Sequence, residues 1–353
     1  MYKCYSINDK ITQKLFLELP KRLYTQEENP QDIKTEKQIL NGTHVLSSEF
    51  QITPFVLAKD NKPICRCIMT YYEGDSTAYI GFFEAENNVS AVKEMFVYAE
   101  RKAREDGKTK LYGPFDCSIF INYRFKTNKF DSTYTSEPYN KSYYVDLWEK
   151  CGFVISDKYV SNQLRKVEEK DIDLRLDRIY NRFVSKGYEF VSPTNETFEK
   201  VLSEIYQSMM KVYTEFSGFK PISQKQFFTL FGKLKYVLNY EMVKVAYKDG
   251  EMKAFCVSLP NYHHLAKGNM TIRKLLKMMK IKKKPDEYVI LYAGADPSAL
   301  GLGSAILHNI RNVLYENQCT SITALIKEGN LTGKLYEDVY VDQFTYVLLA
   351  KNL

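Results

Sequence analysis

The stretch Tyr288-Val-Ile-Leu-Tyr-Ala-Gly-Ala-Asp-Pro-Ser-Ala-Leu-Gly-Leu-Gly-Ser-Ala-Ile-Leu-His-Asn-Ile310 decides how the chain is read. It opens on an apolar, β-prone run that reads as a buried strand. Pro297 and two glycines break that run, and from Gly303 onward apolar residues recur at helical spacing. A strand that passes through small residues into a helix start aims several backbone N–H groups at one spot. The helix dipole adds partial positive charge there, so the spot suits a phosphate or diphosphate. Gly301 and Gly303 let the main chain approach an anion closely. The candidate cradle is Leu300, Gly301, Leu302, Gly303, Ser304 and Ala305, with Gly294 and Ala295 ending the strand before it. A plain strand end beside a tight turn is the alternative.

Outward from this stretch, one order of elements occurs twice. In the first half, Leu15 lies in a short helix and residues 31–40 suggest another. Residues 52–58 and 64–72 read as a hairpin about Lys59-Asp-Asn-Lys62. A strand follows over 78–84, then a helix over 89–105 with Val92, Met95, Phe96, Ala99 and Ala103 on one face and Gly107 closing it. A short strand at 110–112, a helix at 143–151 and a strand at 153–164 complete that half. Residues 166–182 read as a bridging helix. The second half has helices at 195–213 and 223–235, and a hairpin about Lys248-Asp-Gly-Glu251. A strand (288–295), a helix (303–317), a strand (321–326), a short helix (330–338) and a last strand (344–349) follow. The expected domains are 1–165 and 189–353, joined by 166–188.

The chain has 353 residues and is 44% hydrophobic, enough for two cores. Net charge is +7, which favours anionic small ligands without requiring nucleic acid or a membrane as partner. Seven cysteines contain no C-x-x-C pair, so neither a disulfide framework nor a metal site is expected. Cys65 and Cys67 share a strand face and read as small core residues. The start, Met1-Tyr-Lys-Cys-Tyr-Ser-Ile, lacks an apolar run after positive charge, and a cytoplasmic, reduced protein is expected.

The repeated order, with a glycine turn in the second half after the strand that follows the hairpin, resembles the acyl-CoA N-acyltransferase (GNAT) superfamily over both halves. The family's Q/R-x-x-G-x-G/A turn matches Ser298-Ala-Leu-Gly301-Leu-Gly303, with Ser298 in place of the leading Arg or Gln. Its later N-x-x-A-x-x-L-Y-x-x-x-G-F segment has an echo in Asn330-Leu-Thr-Gly-Lys-Leu-Tyr336, one residue shorter and without the Gly-Phe. Tyr143-Tyr-Val-Asp-Leu-Trp-Glu-Lys-Cys-Gly-Phe153 in the first half matches that ending more closely. The first half's own turn, Glu84-Ala-Glu-Asn-Asn-Val-Ser, has no G-x-G, and its acidic pair would repel a diphosphate. The blocks Tyr79-Ile-Gly-Phe-Phe-Glu84 and Gly113-Pro-Phe-Asp116 also resemble uncharacterised bacterial tandem acyltransferase-like proteins.

The resemblance implies an α/β fold of two GNAT-like domains in tandem. Each would have a mostly antiparallel mixed sheet with a parallel strand-helix-strand crossover and helices on both faces. It implies acyl transfer, with acetyl the expected group, from acyl-CoA to a small-molecule or peptide amine. The second domain would bind acetyl-CoA or another acyl-CoA, also touching Asn330, and the first would have lost that binding. In this family the fourth strand splays from the fifth and a free amide polarises the thioester carbonyl, here near Tyr292 to Ala295. Gly294 would allow a bulge there. Tyr336 would be the general acid, a packing role being its alternative. Asp296, Glu241, Glu328, His263 and His264 are candidate bases, and attack through ordered water needs none of them. Tyr134, Tyr139, Tyr143 and Tyr144 would wall an acceptor site or simply pack.

Residues 267–284 hold eight basic and no acidic residues, with Ile272, Leu275, Leu276 and Met279 at helical spacing. The reading is a solvated helix packed by its apolar side. An anionic membrane, RNA or the adenosine phosphates of CoA are alternative partners. Two other functions stand beside the first: a tRNA-dependent aminoacyltransferase of GNAT fold, and a non-catalytic ligand-binding protein.

Overall fold

The computed structural model describes residues 2–171, 174–215, 218–268, 270–329 and 338–353. The chain forms two compact units. One comprises Met1–Lys158 with Ala266–Met270 and Thr345–Leu353; the other comprises Tyr159–Leu265 and Thr271–Phe344.

Unit 1 runs β1 (Lys3–Ser6), α1 (Lys10–Leu23), α2 (Ile33–Leu40), β2 (Gln51–Lys59), β3 (Lys62–Tyr71), β4 (Thr77–Ala85), α3 (Val89–Glu105), β5 (Lys110–Gly113), β6 (Phe125–Lys126), α4 (Tyr144–Lys150) and the start of β7 (Val154–Leu164). The β2–β3 turn takes Asp60 and Asn61 into the left-handed region, at φ 51° and 60°, the twist a two-residue hairpin favours. Strands β1 to β4 pair antiparallel in order, and β4 pairs parallel with β5 across α3. Helix α3 buries Ala91, Val92, Met95, Phe96, Ala99 and Ala103, one face at three- and four-residue spacing. Those side chains meet Phe83, Phe125, Tyr144, Trp148 and Phe153 in an aromatic core. Cys65 and Cys67 lie in the same core.

Unit 2 runs from the rest of β7 through α5 (Leu174–Ser185), β8 (Tyr188–Val191), α6 (Phe198–Val212), α7 (Gln224–Phe231), β9 (Val243–Lys248), β10 (Glu251–Pro260), α8 (Ile272–Lys283), β11 (Glu287–Ala295), α9 (Leu302–Asn317), β12 (Thr320–Lys327) and the start of β13 (Tyr340–Asn352). Strands β8 to β11 pair antiparallel in order, and β11 pairs parallel with β12. Helix α9 packs Ala305, Ile306, Ile310 and Leu314 against Cys256, Tyr288 and Ile290. Helix α5 falls in the stretch read as a bridge and joins this core through Phe183.

Strands β1, β6 and β8 were not expected from the sequence. They are two to four residues long, too short for an alternating pattern to register. Helix α7 stops at Phe231, and a 3-10 turn, Gly232–Tyr236, takes up the rest of the expected span. The expected short helix at 330–338 falls mostly outside the described residues.

The two units exchange strands. Unit 1's sheet is completed by the end of β13, where Leu349 to Asn352 pair antiparallel with Gly113 to Lys110 of β5. Unit 2's sheet is completed by the end of β7, where Tyr159 to Leu164 pair antiparallel with β12. Residues 345–353 therefore lie with the first half of the chain, and Val347 and Leu349 enter its core. Antiparallel pairing imposes no limit on chain separation, so local sequence carries no mark of it.

Leu349→Ala is expected to destabilise unit 1 by about 2–5 kcal/mol, because it opens a cavity in a closed core. The chain's one tryptophan, Trp148, reports on that core. Its fluorescence midpoint in urea should fall, and an unchanged midpoint would refute the exchange.

Candidate active site

Parallel pairing of β11 with β12 covers only Glu287↔Thr320 to Ile290↔Thr323. Beyond Ile290, β11 stays with β10, where Tyr292, Ala293, Gly294 and Ala295 face Val257, Cys256, Phe255 and Ala254. Strand β12 instead follows β7, with Ile326 opposite Val160 and Lys327 opposite Tyr159. Two local features fix the parting. Leu291 is an extra residue between Ile290↔Ser258 and Tyr292↔Val257, a bulge on β11. On β12, Leu325 adopts φ 59° and donates its N–H to the Ser161 hydroxyl at 2.8 Å. The bulge sits at Leu291 rather than Gly294, which keeps regular register. Gly294 is small for another reason: a Cβ there would lie 2.7 Å from the Phe255 ring.

The Asp296 N–H donates to the Lys253 carbonyl. Hydrogen bonding alternates along an antiparallel pair, so the amides of Gly294 and Tyr292 also face β10. Those of Ala293 and Ala295 face the open side. The bulge also reverses the phase of the side chains. Tyr288 and Ile290 face α9, whereas Tyr292 lines an apolar cavity of about 30 Å³ on the other face, with Phe198, Leu202, Met209, Phe231 and Val257. The hydroxyl of Thr323, the last β12 residue paired with β11, is buried without a partner among the described residues.

After β11 the chain folds into a run of turns. The Asp296 carboxylate accepts from the Ser298 N–H at 2.9 Å and hydroxyl at 2.6 Å. These two bonds, chiefly, hold its pKa below the ordinary carboxylate range. Ser298 thus organises the loop from the position where the resembling motif has Arg or Gln. Ala299 N–H donates to the Asp296 carbonyl and Leu302 N–H to the Ala299 carbonyl. Gly301 is the N-cap of α9 at φ 92°, with no side-chain cap and no acidic residue in the first turn. Ala305 N–H is taken by the Gly301 carbonyl, and the side chains of Leu302 and Ala305 are core. The N–H groups of Gly303 and Ser304 have no acceptor among the described residues. They point off the positive end of a sixteen-residue helix. Leu300 is 90% exposed beside them.

Cations surround this end. Arg182 on α5 donates to the Leu300 carbonyl at 3.4 Å and stands 3.1 Å from where a Cβ on Gly301 would be. Lys253 lies 4.0 Å from Asp296. Arg182 escaped the sequence reading because more than a hundred residues separate it from the turn. The donor set fits a diphosphate: two free amides, a helix dipole and a guanidinium, with room over Gly303. Among the candidate bases, Glu328, His263 and His264 are exposed, and both histidines sit in a 3-10 turn. Glu241 accepts from the Tyr288 hydroxyl at 3.3 Å. Asn330 and Tyr336 lie outside the described residues.

The corresponding place in unit 1 is filled. Pairing of β4 with β5 likewise stops early, at Tyr79↔Tyr112. The chain after β5 then closes the gap. Phe115 N–H donates to the Ile80 carbonyl at 2.7 Å, and the Asp116 carboxylate takes the Phe82 N–H. A Cβ on Gly81 would lie 2.0 Å from the Phe115 carbonyl oxygen, so the two blocks noted above meet here. At α3, the Asn88 side chain caps the Ala91 N–H at 3.1 Å. The acidic pair is not aimed at that helix end. Glu86 bonds Arg22, and Glu84 is buried under the Tyr144 hydroxyl at 2.5 Å. Beside it Arg66 donates two hydrogen bonds to the Glu36 carboxylate in a buried bidentate ion pair. Burial raises Glu84 to about 7, with Arg66 and Tyr144 opposing. Tyr134 and Tyr144 are fully buried, and Tyr143 bonds the Ala85 carbonyl. These tyrosines serve packing inside unit 1.

No family model matches the chain. Protein YghO of Escherichia coli (strain K12) is 24% identical over 203 residues, 53% of this chain and 48% of that protein. The chain thus spans about half the length of the curated relative it matches. It is similar to a tandem GNAT protein from the clavulanic acid biosynthesis pathway, with TM-score 0.53 and 12% identity, over 100% of this chain and 98% of that one. It is similar to the glucosamine N-acetyltransferase region of a fungal multi-domain beta-N-acetylglucosaminidase, with TM-score 0.52 and 12% identity, over 99% of this chain and 38% of that one. A GCN5-related N-acetyltransferase from Sphaerobacter thermophilus gives TM-score 0.50 and 9% identity, over 99% and 95% of the two chains. The chain has the tandem GNAT fold.

The two glycines of the turn should differ in stability measurements. Gly301→Ala forces a side chain into the left-handed region and should cost about 1–2 kcal/mol. Gly303→Ala should be neutral or stabilising by up to about 1 kcal/mol, since its Cβ meets only Ala295 at 4.0 Å. Equal losses in urea unfolding would mean that the fold itself requires Gly303. For Glu84, the folded state binds its proton more tightly than the unfolded state. That contribution is complete below about pH 4.5 and lost as pH rises through about 7. Glu84→Gln should therefore flatten the fall in stability across that window. A wild-type minus variant difference that stays level with pH would refute this.

Proposed function

We propose that the chain is an acyl-CoA-dependent N-acyltransferase working through unit 2. The observation that carries this reading is the pair of amides, Gly303 and Ser304, that have no acceptor among the described residues at the start of α9. They would hold the CoA diphosphate, and Arg182 would supply the cation that Ser298 does not. Ser298 itself would hold the loop in shape through Asp296.

Acyl-CoA brings an activated thioester carbonyl to the site. The chain's part is to orient it and to stabilise charge on its oxygen. Ala293 and Ala295, on the free edge of β11, have amides available for that purpose, which is worth more in a site shielded from water. Tyr292 directly precedes Ala293, and its ring would wall the apolar cavity rather than reach the carbonyl. Tyr336 remains the candidate proton donor to the departing thiolate. No metal takes part in this reading. Amine attack needs a neutral nucleophile, and ordered water suffices to take its proton. An acetyl group, transferred to a small-molecule or peptide amine, is the proposed reaction. Unit 1 is proposed not to bind CoA, a reading supported by Asn88 on its helix start and Asp116 across its gap.

Gly303→Asp separates binding from folding. An acidic residue in a helix's first turn is favourable, so the variant should be at least as stable as wild type. Its charge would occupy the diphosphate's place. Calorimetric titration with CoA and acetyl-CoA should show at least tenfold weaker binding for Gly303→Asp, and Arg182→Ala should weaken it less. No binding by wild type, or equal binding by Gly303→Asp, would defeat the proposal. Binding without turnover against a panel of amines would leave a ligand-binding protein instead.

A further inference from the structure

Helix α8 has two apolar faces and only one is covered. Met278 is buried, and Ile281 is half-buried on the same side. The other face carries Ile272, Leu275, Leu276 and Met279, at positions 0, 3, 4 and 7 of the helix. They are 79%, 46%, 61% and 42% exposed. At 100° per residue they form one stripe about 100° wide, centred about 110° from Met278 and opposite Ile281. The sequence reading had this side packed against the protein; it faces solvent. Such a stripe is disfavoured in water, and α9 and α3 bury theirs.

Charge says what covers it. Arg273, Lys277, Lys280 and Lys284 follow one flank of the stripe by the same geometry, and Lys283 sits at its C-terminal end. From Met252 to Pro285 the chain has no Asp or Glu. We propose that α8 docks the protein on an anionic bilayer, lying in the headgroup plane. Its stripe would enter the acyl boundary and its cations would meet lipid phosphates. The long lysine stems let the ammonium groups stay at phosphate level while the stripe sinks. An RNA backbone would satisfy the cations and leave Ile272 and Leu276 in water, so it explains half of the surface. The helix is twelve residues long, and no described helix is long and apolar enough to cross a membrane, so the contact is peripheral.

The test is co-flotation of the full chain with vesicles of phosphatidylcholine alone or mixed about equally with phosphatidylglycerol. Binding is expected only to the anionic vesicles, and it should weaken at least tenfold from about 0.05 M to about 0.5 M salt. Leu276→Glu changes an exposed side chain and should fold normally by circular dichroism. It should lose at least tenfold in vesicle binding even at low salt. In Leu276→Trp, emission should shift to the blue on adding anionic vesicles, against the constant signal of buried Trp148. No binding of wild type at low salt overturns the proposal, as does equal binding by Leu276→Glu. Preference for RNA over anionic vesicles, unaffected by Leu276→Glu, overturns it in favour of nucleic acid.

Discussion

The constraint on which this molecule turns is the parting of two parallel strands. Strands β11 and β12 share four residue pairs and then separate. Backbone groups that leave a ladder must find partners or face water. In unit 2, β12 satisfies its groups on β7, and β11 keeps β10 on one side. The amides of Ala293 and Ala295 are left on the other. The bulge at Leu291 and the left-handed residue Leu325 mark where the two strands part.

Unit 1 begins with the same geometry and ends differently. Its strands part after three pairs, and the following segment then folds back across the gap. Phe115 and Asp116 occupy the backbone groups, Asn88 occupies the helix start, and Glu84 with Arg66 fills the interior with a paired polar cluster. One architecture thus appears once with its gap bridged by Phe115 and Asp116 and once with the Gly303 and Ser304 amides lacking an acceptor among the described residues. The strand exchange ties these two states to one chain, because each unit's sheet takes its last strand from the other half.

Much of this was legible in advance. The hairpin turns at Asp60-Asn61 and Asp249-Gly250 announce themselves, because few residues tolerate the left-handed backbone. The faces of α3 and α9 follow from apolar spacing, and the glycine turn before α9 follows from its composition. The bulge was assigned to Gly294, since glycine is the usual mark of one, but Leu291 holds it. Gly294 instead makes room for a neighbouring ring. Arg182 and the closure at Asp116 left no local trace, since each acts on residues far away in the chain. The apolar residues of α8 gave a correct helix and the wrong side, because periodicity reveals a stripe and not what covers it.

The sequence by itself determined the element order, its repetition, the turn that starts α9, and the absence of a matching glycine turn in the first half. These rest on local conformational preference, which each short segment carries within itself. Only the tertiary structure decided which strands complete which sheet, which amides lack an acceptor among the described residues, and which charges reach the helix start. Those depend on pairing between segments that are distant in the chain, where a shift of one residue reverses every side chain and no local pattern records the choice.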